Sequence, residues 1–302
     1  MSDAAVDVQN LSVIFGDFYA VRDVSFTVPA GQIFGFLGAN GAGKTTTIRV
    51  LCGLLPASRG RVVVDGAEFT PGRENIIKQR VGYMSQRFTL YDELSIAENF
   101  DFAAAIRDVA RDEYIARREN LLKLIGFDGN LRATVRDLPG GIKQQVALSV
   151  ALLHDPKIVF LDEPTAGVAP RARMRFWEII RQLAASGRTV FVTTHYMDEA
   201  ENCHRIALMR AGEIIACDSP ANLKTAAFSS GMFNLTPRGN RVAPPSGDDM
   251  EACEPYGRHF HVVFRGRPTR ARMAALKRDF DVTAISPSLE DVFIKLVEGD
   301  RR

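Results

Sequence analysis

The chain has 302 residues, 46% hydrophobic and 25% charged, the balance of an ordinary globular protein with room for a full core and a second, smaller unit. Its 38 Lys and Arg residues nearly match 36 Asp and Glu, so a net charge of +2 offers no electrostatic footprint for nucleic acid or an anionic membrane. No apolar run approaches the roughly 18 residues of a spanning helix, Met1-Ser2-Asp3-Ala4 does not read as a signal peptide, and four dispersed cysteines argue for reduced thiols in a cytosolic protein rather than a disulfide framework or metal site.

Val6 to Val13, Val21 to Val28 and Arg61 to Val64 are rich in β-branched residues and separated by Gly, Asp and Pro, which predicts strands. Within this stretch Gln32 to Leu37 reads as a short buried strand. It runs into Gly38-Ala39-Asn40-Gly41-Ala42-Gly43-Lys44-Thr45, the pattern G-x-x-x-x-G-K-[ST]. Glycines there let successive N–H groups point at phosphate oxygens. Lys44 can reach the β- and γ-phosphates, and the Thr45 hydroxyl is placed for Mg²⁺. Thr46 opens a helix whose N-terminus favours anionic charge. The segment therefore predicts a nucleoside triphosphate site.

From about Glu93 to Leu153 the pattern turns helical, with Ile96 to Phe102 followed by a charged run, Arg107 to Arg118, that reads as a solvated helix face. Leu138-Pro139-Gly140-Gly141 precedes a helix at Val146 to His154, and its glycine pair makes a second anion-binding N-terminus. Strand character returns at Ile158 to Leu161 and at Thr189 to Thr193, with a helix from Arg173 to Ala185 between them. Such alternation argues for a parallel sheet covered on both faces. The first of these strands ends in two acids. Asp162 would lie beside the Mg²⁺ end of the phosphate loop, and Glu163, one residue on, is suited to orient or deprotonate an attacking water.

After Leu223 the composition shifts. Residues 237–255 hold four prolines and two glycines and read as a linker or long loop. A strand at His259 to Phe264, a helix at Arg270 to Asp279, a strand at Val282 to Ile285 and a helix at Leu289 to Val297 then make a small α+β appendage. The expected division is 1–223 and 224–302.

The order of these motifs resembles the nucleotide-binding subunit of ABC transporters, continuously over about residues 5–223. The resemblance implies an α/β fold: a P-loop NTPase (RecA-like) core with an N-terminal antiparallel β subdomain and a helical subdomain at about 87–154. It implies ATP as the nucleotide, with Mg²⁺ held by Thr45, Gln86 and Asp162. Leu138 to Gly141 matches the signature motif, so Pro139, Gly140 and Gly141 would complete the ATP site of a second ATPase subunit in a head-to-tail dimer. Gln86 matches the Q-loop glutamine that senses the transmembrane partner. His195, which alone reads more readily as a satisfied core histidine, matches the switch histidine that contacts the γ-phosphate. Lys44, Glu163 and His195 would then be the catalytic set. Phe15 aligns with the aromatic that stacks on adenine, a core aromatic being the competing reading.

Wording narrows the resemblance to exporters of the ABC-2 (drug-resistance) type: Leu-Pro-Gly-Gly at 138–141, Leu90 to Ser95, His195 to Ala200 and Ser288 to Phe293. That implies a separate transmembrane ABC-2 permease, a place on the cytoplasmic face of the bacterial inner membrane, and a regulatory or dimer-stabilising role for the tail. Three positions depart from the family. Pro139 replaces the signature serine, Gln145 the usual arginine, and Ala169 an aspartate that crosses the dimer seam. One charge-assisted contact of that kind is worth about 1.5–3 kcal/mol. The departures leave room for a slow or regulatory ATPase subunit of a heteromeric transporter. A soluble ABC ATPase acting on ribosomes or DNA is the other alternative, disfavoured by a single cassette, no heptad run and near-neutral charge.

Overall fold

Alternating burial along the N-terminal strands builds a sheet with one face inward. In the computed structural model, β1 (Ala4–Phe15) and β2 (Phe18–Pro29) form an antiparallel hairpin around the Gly16-Asp17 turn. The chain then leaves this sheet through β3 (Ile33–Leu37) and α1 (Lys44–Leu51) and returns as β4 (Arg59–Val64) and β5 (Ala67–Glu68). The resulting order is β2-β1-β4-β5. The structure describes residues 4–70, 72, 74–86, 90–239 and 243–299. The opening tripeptide, the expected start of the helical subdomain at 87–89, part of the proline-rich stretch at 240–242 and the last three residues lie outside the described residues.

β3, whose five residues are all buried, instead founds a second sheet. After α2 (Glu74–Arg80) comes β6 (Val81–Met84), and then three helices: α3 (Ile96–Ile106), α4 (Arg111–Ile125) and α5 (Gly140–Leu152). The charged run expected as one helix face is thus divided, since α3 ends before Arg107 and α4 begins at Arg111. β7 (Ile158–Asp162), α6 (Pro170–Ala185), β8 (Thr189–Thr194), α7 (Met197–Ala200), β9 (Arg205–Arg210) and β10 (Glu213–Asp218) complete the unit. The order is β10-β9-β3-β8-β7-β6, parallel except for β10. Fully apolar strands belong in such a doubly covered sheet. Five phenylalanines join the two sheets: Phe26 of β2 lies 5.6 Å from Phe34 and 5.1 Å from Phe36 of β3, and Phe191 of β8 lies 5.3 Å from Phe34 and 5.4 Å from Phe160 of β7. Stacked, tilted and edge packing at these spacings adds to the burial of the rings themselves.

The chain divides into two compact units, one ending at Asp218 and the other beginning at Ser219. The boundary expected after Leu223 falls inside α8 (Pro220–Ala227), because Ser219 accepts from Asn222 N as an N-cap and Pro220 starts the helix. In the second unit β11 (Met232–Pro237), β12 (Met250–Tyr256), β13 (His259–Phe264) and β14 (Phe280–Ile285) form an antiparallel sheet in the order β12-β13-β11-β14. Helix α9 (Arg270–Asp279) contributes Leu276 to a core with Leu235, Val262, Phe264 and Phe280, and α10 (Leu289–Gly299) follows β14. The stretch 237–255 is therefore not a linker between units. It connects β11 to β12, and its last residues are β12 itself. Pro255 is tolerated there because β12 is an edge strand.

Candidate functional site

The loop from Gly38 to Thr45 joins the end of β3 to the start of α1. At two of its glycines no side chain fits. A Cβ on Gly38 would stand 2.2 Å from Met209 O, and one on Gly43, whose φ is 105°, 2.6 Å from Ala20 O. Ala39, Asn40 and Gly41 form an exposed crest, while Ala42 is buried and Thr45 and Thr46 half-buried. The turn between β9 and β10 braces the loop, since Gly212 N donates to Ala42 O at 3.0 Å and Arg22 N donates to Gly212 O at 2.8 Å. The N–H groups in the first turn of α1 have no intrahelical acceptor and present partial positive charge. Lys44 is buried. Its Nζ donates to Gly38 O at 2.8 Å and Ala39 O at 3.1 Å and lies 3.5 Å from Glu163 Oε1. Burial lowers the Lys44 pKa, opposed by the charges of Glu163 and Asp162.

The acidic pair leaves β7 at the same end of the sheet. Asp162 is 1% exposed, and its Oδ1 accepts from Thr193 Oγ1 at 2.7 Å and from Thr45 Oγ1 at 3.1 Å. Burial pushes its carboxyl up, and these two hydroxyls pull it back. Glu163 adopts a φ of 48°, a left-handed conformation that a non-glycine residue holds only when its surroundings impose it. Here its N–H donates to Thr193 Oγ1 at 2.9 Å and to Thr193 O at 3.2 Å. The twist delivers the carboxylate to three other groups. Gln86 Nε2 donates to Glu163 Oε2 at 3.1 Å, His195 Nδ1 lies 3.2 Å from the same oxygen, and Lys44 faces Oε1.

The structure thus brings Lys44, Thr45, Asp162, Glu163, Gln86 and His195 together. Gln86, expected among the metal contacts, has its amide on Glu163 rather than with the Thr45–Asp162 pair. That pair supplies one hydroxyl and one carboxylate oxygen. Such a hard-oxygen set suits Mg²⁺, which retains water and takes its remaining oxygens from a phosphate chain. Among the described residues no cluster of three or more His, Cys, Asp or Glu side chains could hold a metal by itself.

Pro139, Gly140 and Gly141 lie elsewhere. Pro139 is the N-cap of α5, and Gly141 meets α6 so closely that a Cβ would stand 2.7 Å from that of Ala172. The groove they line also holds Gln145, Val168 and Ala169, and no residue of the phosphate loop. Phe15 is 52% exposed opposite Phe18 at the tip of the first hairpin, so it is not a core aromatic. Exposed Tyr91, Phe102 and Ile106 line a further groove with Tyr83 of β6, and Tyr91 and Phe102 pack edge to face at 4.7 Å.

Several site residues escaped the sequence reading. Thr193 joins both acids, Gly212 braces the loop, and buried Glu199 gathers Thr165, Thr194 and Arg173. Thr193 closes the strand expected at Thr189 to Thr193, but only its pairing with β7, Asp162 opposite Thr193, reveals its role.

The ABC transporter family model matches residues 21–166. Over 225 residues the chain is 41% identical to the probable multidrug ABC transporter ATP-binding protein YbhF of Escherichia coli (strain K12), covering 74% of this chain and 38% of that protein. It therefore spans about two fifths of the length of YbhF, 38%. With the Nod factor export ATP-binding protein I of Rhizobium leguminosarum bv. viciae it shares 32% identity over 307 residues, covering 98% of this chain and 96% of the relative. Among solved structures, the ATP binding subunit of an ABC transporter superposes with a TM-score of 0.66 at 27% identity, over 74% of this chain and 92% of its own.

Proposed function

Because this chain belongs to the ABC transporter ATP-binding family, we propose that it binds ATP with Mg²⁺ and hydrolyses it to power a membrane exporter. The observation that carries this reading is the convergence of Lys44, Gln86 and His195 on one strained carboxylate, Glu163, beside a glycine loop. The loop N–H groups and Lys44 bind the β- and γ-phosphates of ATP. Thr45 and Asp162 hold Mg²⁺, whose charge, when bound, offsets that of the phosphates. Glu163 orients a water for in-line attack on the γ-phosphorus and takes its proton as the bond to the β-phosphate oxygen breaks, giving ADP and phosphate. His195 contacts the γ-phosphate, and Phe15, exposed at its hairpin tip, stacks on adenine.

Two subunits share the work. The N-terminus of α5, with Pro139, Gly140 and Gly141, faces the phosphate loop of a second ATPase subunit in a head-to-tail dimer. Support for this comes from the groove at that helix start, which no phosphate-loop residue of the same chain enters. No described helix is long and apolar enough to cross a membrane, which fits a separate ABC-2 type permease as the partner, with this subunit on the cytoplasmic face of the inner membrane. The exposed Tyr91, Phe102 and Ile106 supply an apolar face for it.

Steady-state ATPase of the purified chain against Glu163→Gln tests the reading. Turnover should fall by about a hundredfold or more while ATP binding persists. An inactive wild type, or full turnover in the variant, refutes it. Purification from membranes with a polytopic protein supports the transport role, and recovery with ribosomes or DNA overturns it.

A further inference from the structure

Glu199 is 2% exposed, in a four-residue helix directly after the His195 strand end, and nothing in the proposed chemistry uses it. Three segments close on its carboxylate. Thr165 Oγ1 donates to Oε1 at 2.6 Å, Thr194 Oγ1 donates to Oε2 at 2.8 Å, and Arg173 Nε stands 3.3 Å from Oε1. Thr165 belongs to the loop that runs from Glu163 to Ala169. Thr194 immediately precedes His195, and its hydroxyl also accepts from Tyr196 N at 3.0 Å. Arg173 lies in the first turn of α6, where its N–H donates to Ala169 O at 2.9 Å.

The same arginine begins a column of rings. Its guanidinium sits 4.0 Å over Tyr196, whose centroid is 4.1 Å from that of His195. One buried carboxylate thereby fixes the loop ending at Ala169 and the ring that stands against Glu163. A buried ion pair is a poor source of net stability, since apolar residues of equal volume often do as well. What this one supplies is direction, because each oxygen is committed to a named donor on a different segment.

We infer that Glu199 and Arg173 are positioning residues that tie the 165–169 loop to the His195 ring, so that a displacement at Ala169 reaches Glu163. The inference rests on the ATPase reading above and names the device by which the dimer seam would regulate that site. It places the coupling in side chains whose hydroxyls can be removed singly without changing their shape.

Thr165→Val is the sharp test. It cuts one arm and leaves Arg173 and Thr194 on Glu199. kcat should fall roughly tenfold with KM for ATP within about twofold, since contacting groups couple at this scale. Thr165→Ser, which keeps the hydroxyl, should restore turnover. In a His195→Ala background the same Val substitution should lower the residual rate by less than about twofold, because the tie acts through that ring. Glu199→Gln, which leaves Arg173 without its counter-charge, should show the same non-additivity and serves if Thr165→Val fails to fold. Unchanged kcat, additive losses in the His195→Ala background, or a serine variant no better than valine overturns the tie while an active wild type keeps the ATPase reading intact. A wild type without turnover removes both.

Discussion

Replacing Thr193 with Val preserves the shape of a fully buried side chain and deletes one hydroxyl. That hydroxyl donates to Asp162 at 2.7 Å and accepts from Glu163 N at 2.9 Å. A hydrogen bond to a charged group contributes about 1.5–3 kcal/mol, and a buried N–H left with a poorer partner adds about 1 kcal/mol. Glu163 N would keep only its 3.2 Å contact with Thr193 O. The expected destabilisation at about pH 8 is therefore about 2–4 kcal/mol. Burial already holds Asp162 above its ordinary value of 3.8, and the Thr193 hydroxyl is the largest influence pulling it back. Its loss raises the carboxyl further, about one pH unit for each 1.4 kcal/mol.

A carboxyl whose folded pKa exceeds its unfolded one holds more protons when folded, so stability falls as pH rises from the unfolded value through the folded one. In Thr193→Val that decline reaches higher pH. The difference between variant and wild type is thus greatest near pH 8 and shrinks towards about pH 4. Trp177, the single tryptophan, is buried on α6 and reports the first unit alone. Urea unfolding followed by its fluorescence at the two pH values measures the effect. Equal destabilisation at both, or less than about 0.5 kcal/mol at pH 8, refutes the reasoning.

Ala169 is the N-cap of α6 with φ −60° and ψ 148° and no side-chain cap, so Ala169→Asp should stabilise by about 1 kcal/mol. The same carboxylate at the proposed dimer seam should raise steady-state ATPase by roughly tenfold. An unchanged rate removes Ala169 from the account of turnover. Phe15→Ala should weaken binding of a fluorescent ATP analogue by about five- to tenfold, as loss of one base–aromatic stack does, and leave the thermal midpoint nearly unmoved because the ring is exposed. Wild-type affinity in this variant refutes the stacking role.

What the sequence made legible was local. Gly38 to Thr45 announces itself because glycine conformation, the lysine and the threonine sit within one loop, and β3 and β7 announce themselves as unbroken apolar runs. The α/β fold follows from their alternation with helices. Thr193, Gly212 and Glu199 were hidden, since each acquires its role only when β8 pairs with β7 or when the β9–β10 turn meets the phosphate loop. Gln86 was visible, but its hydrogen bond to Glu163 was not, because distance from Glu163 is set by sheet geometry and not by spacing. In the second unit prolines outweighed pattern: Pro255 concealed an edge strand, and the composition shift after Leu223 set the expected boundary inside α8, past the helix start at Ser219-Pro220.

The place of β3 in the sheet also governs the order in which this protein can be made. Its two neighbours are β8 and β9, and Ile33 N donates to His204 Nδ1 across 171 residues of chain. At about 5–20 residues per second, a ribosome that has finished β3 needs on the order of 10–30 s to supply both flanks. Through that interval Phe34 and Phe36 have no strand beside them, and the glycine loop has no turn to rest on. Nucleotide therefore acts on a nearly finished first unit, too late to guide its early folding, and those phenylalanines wait for β8 and β9 rather than for ligand.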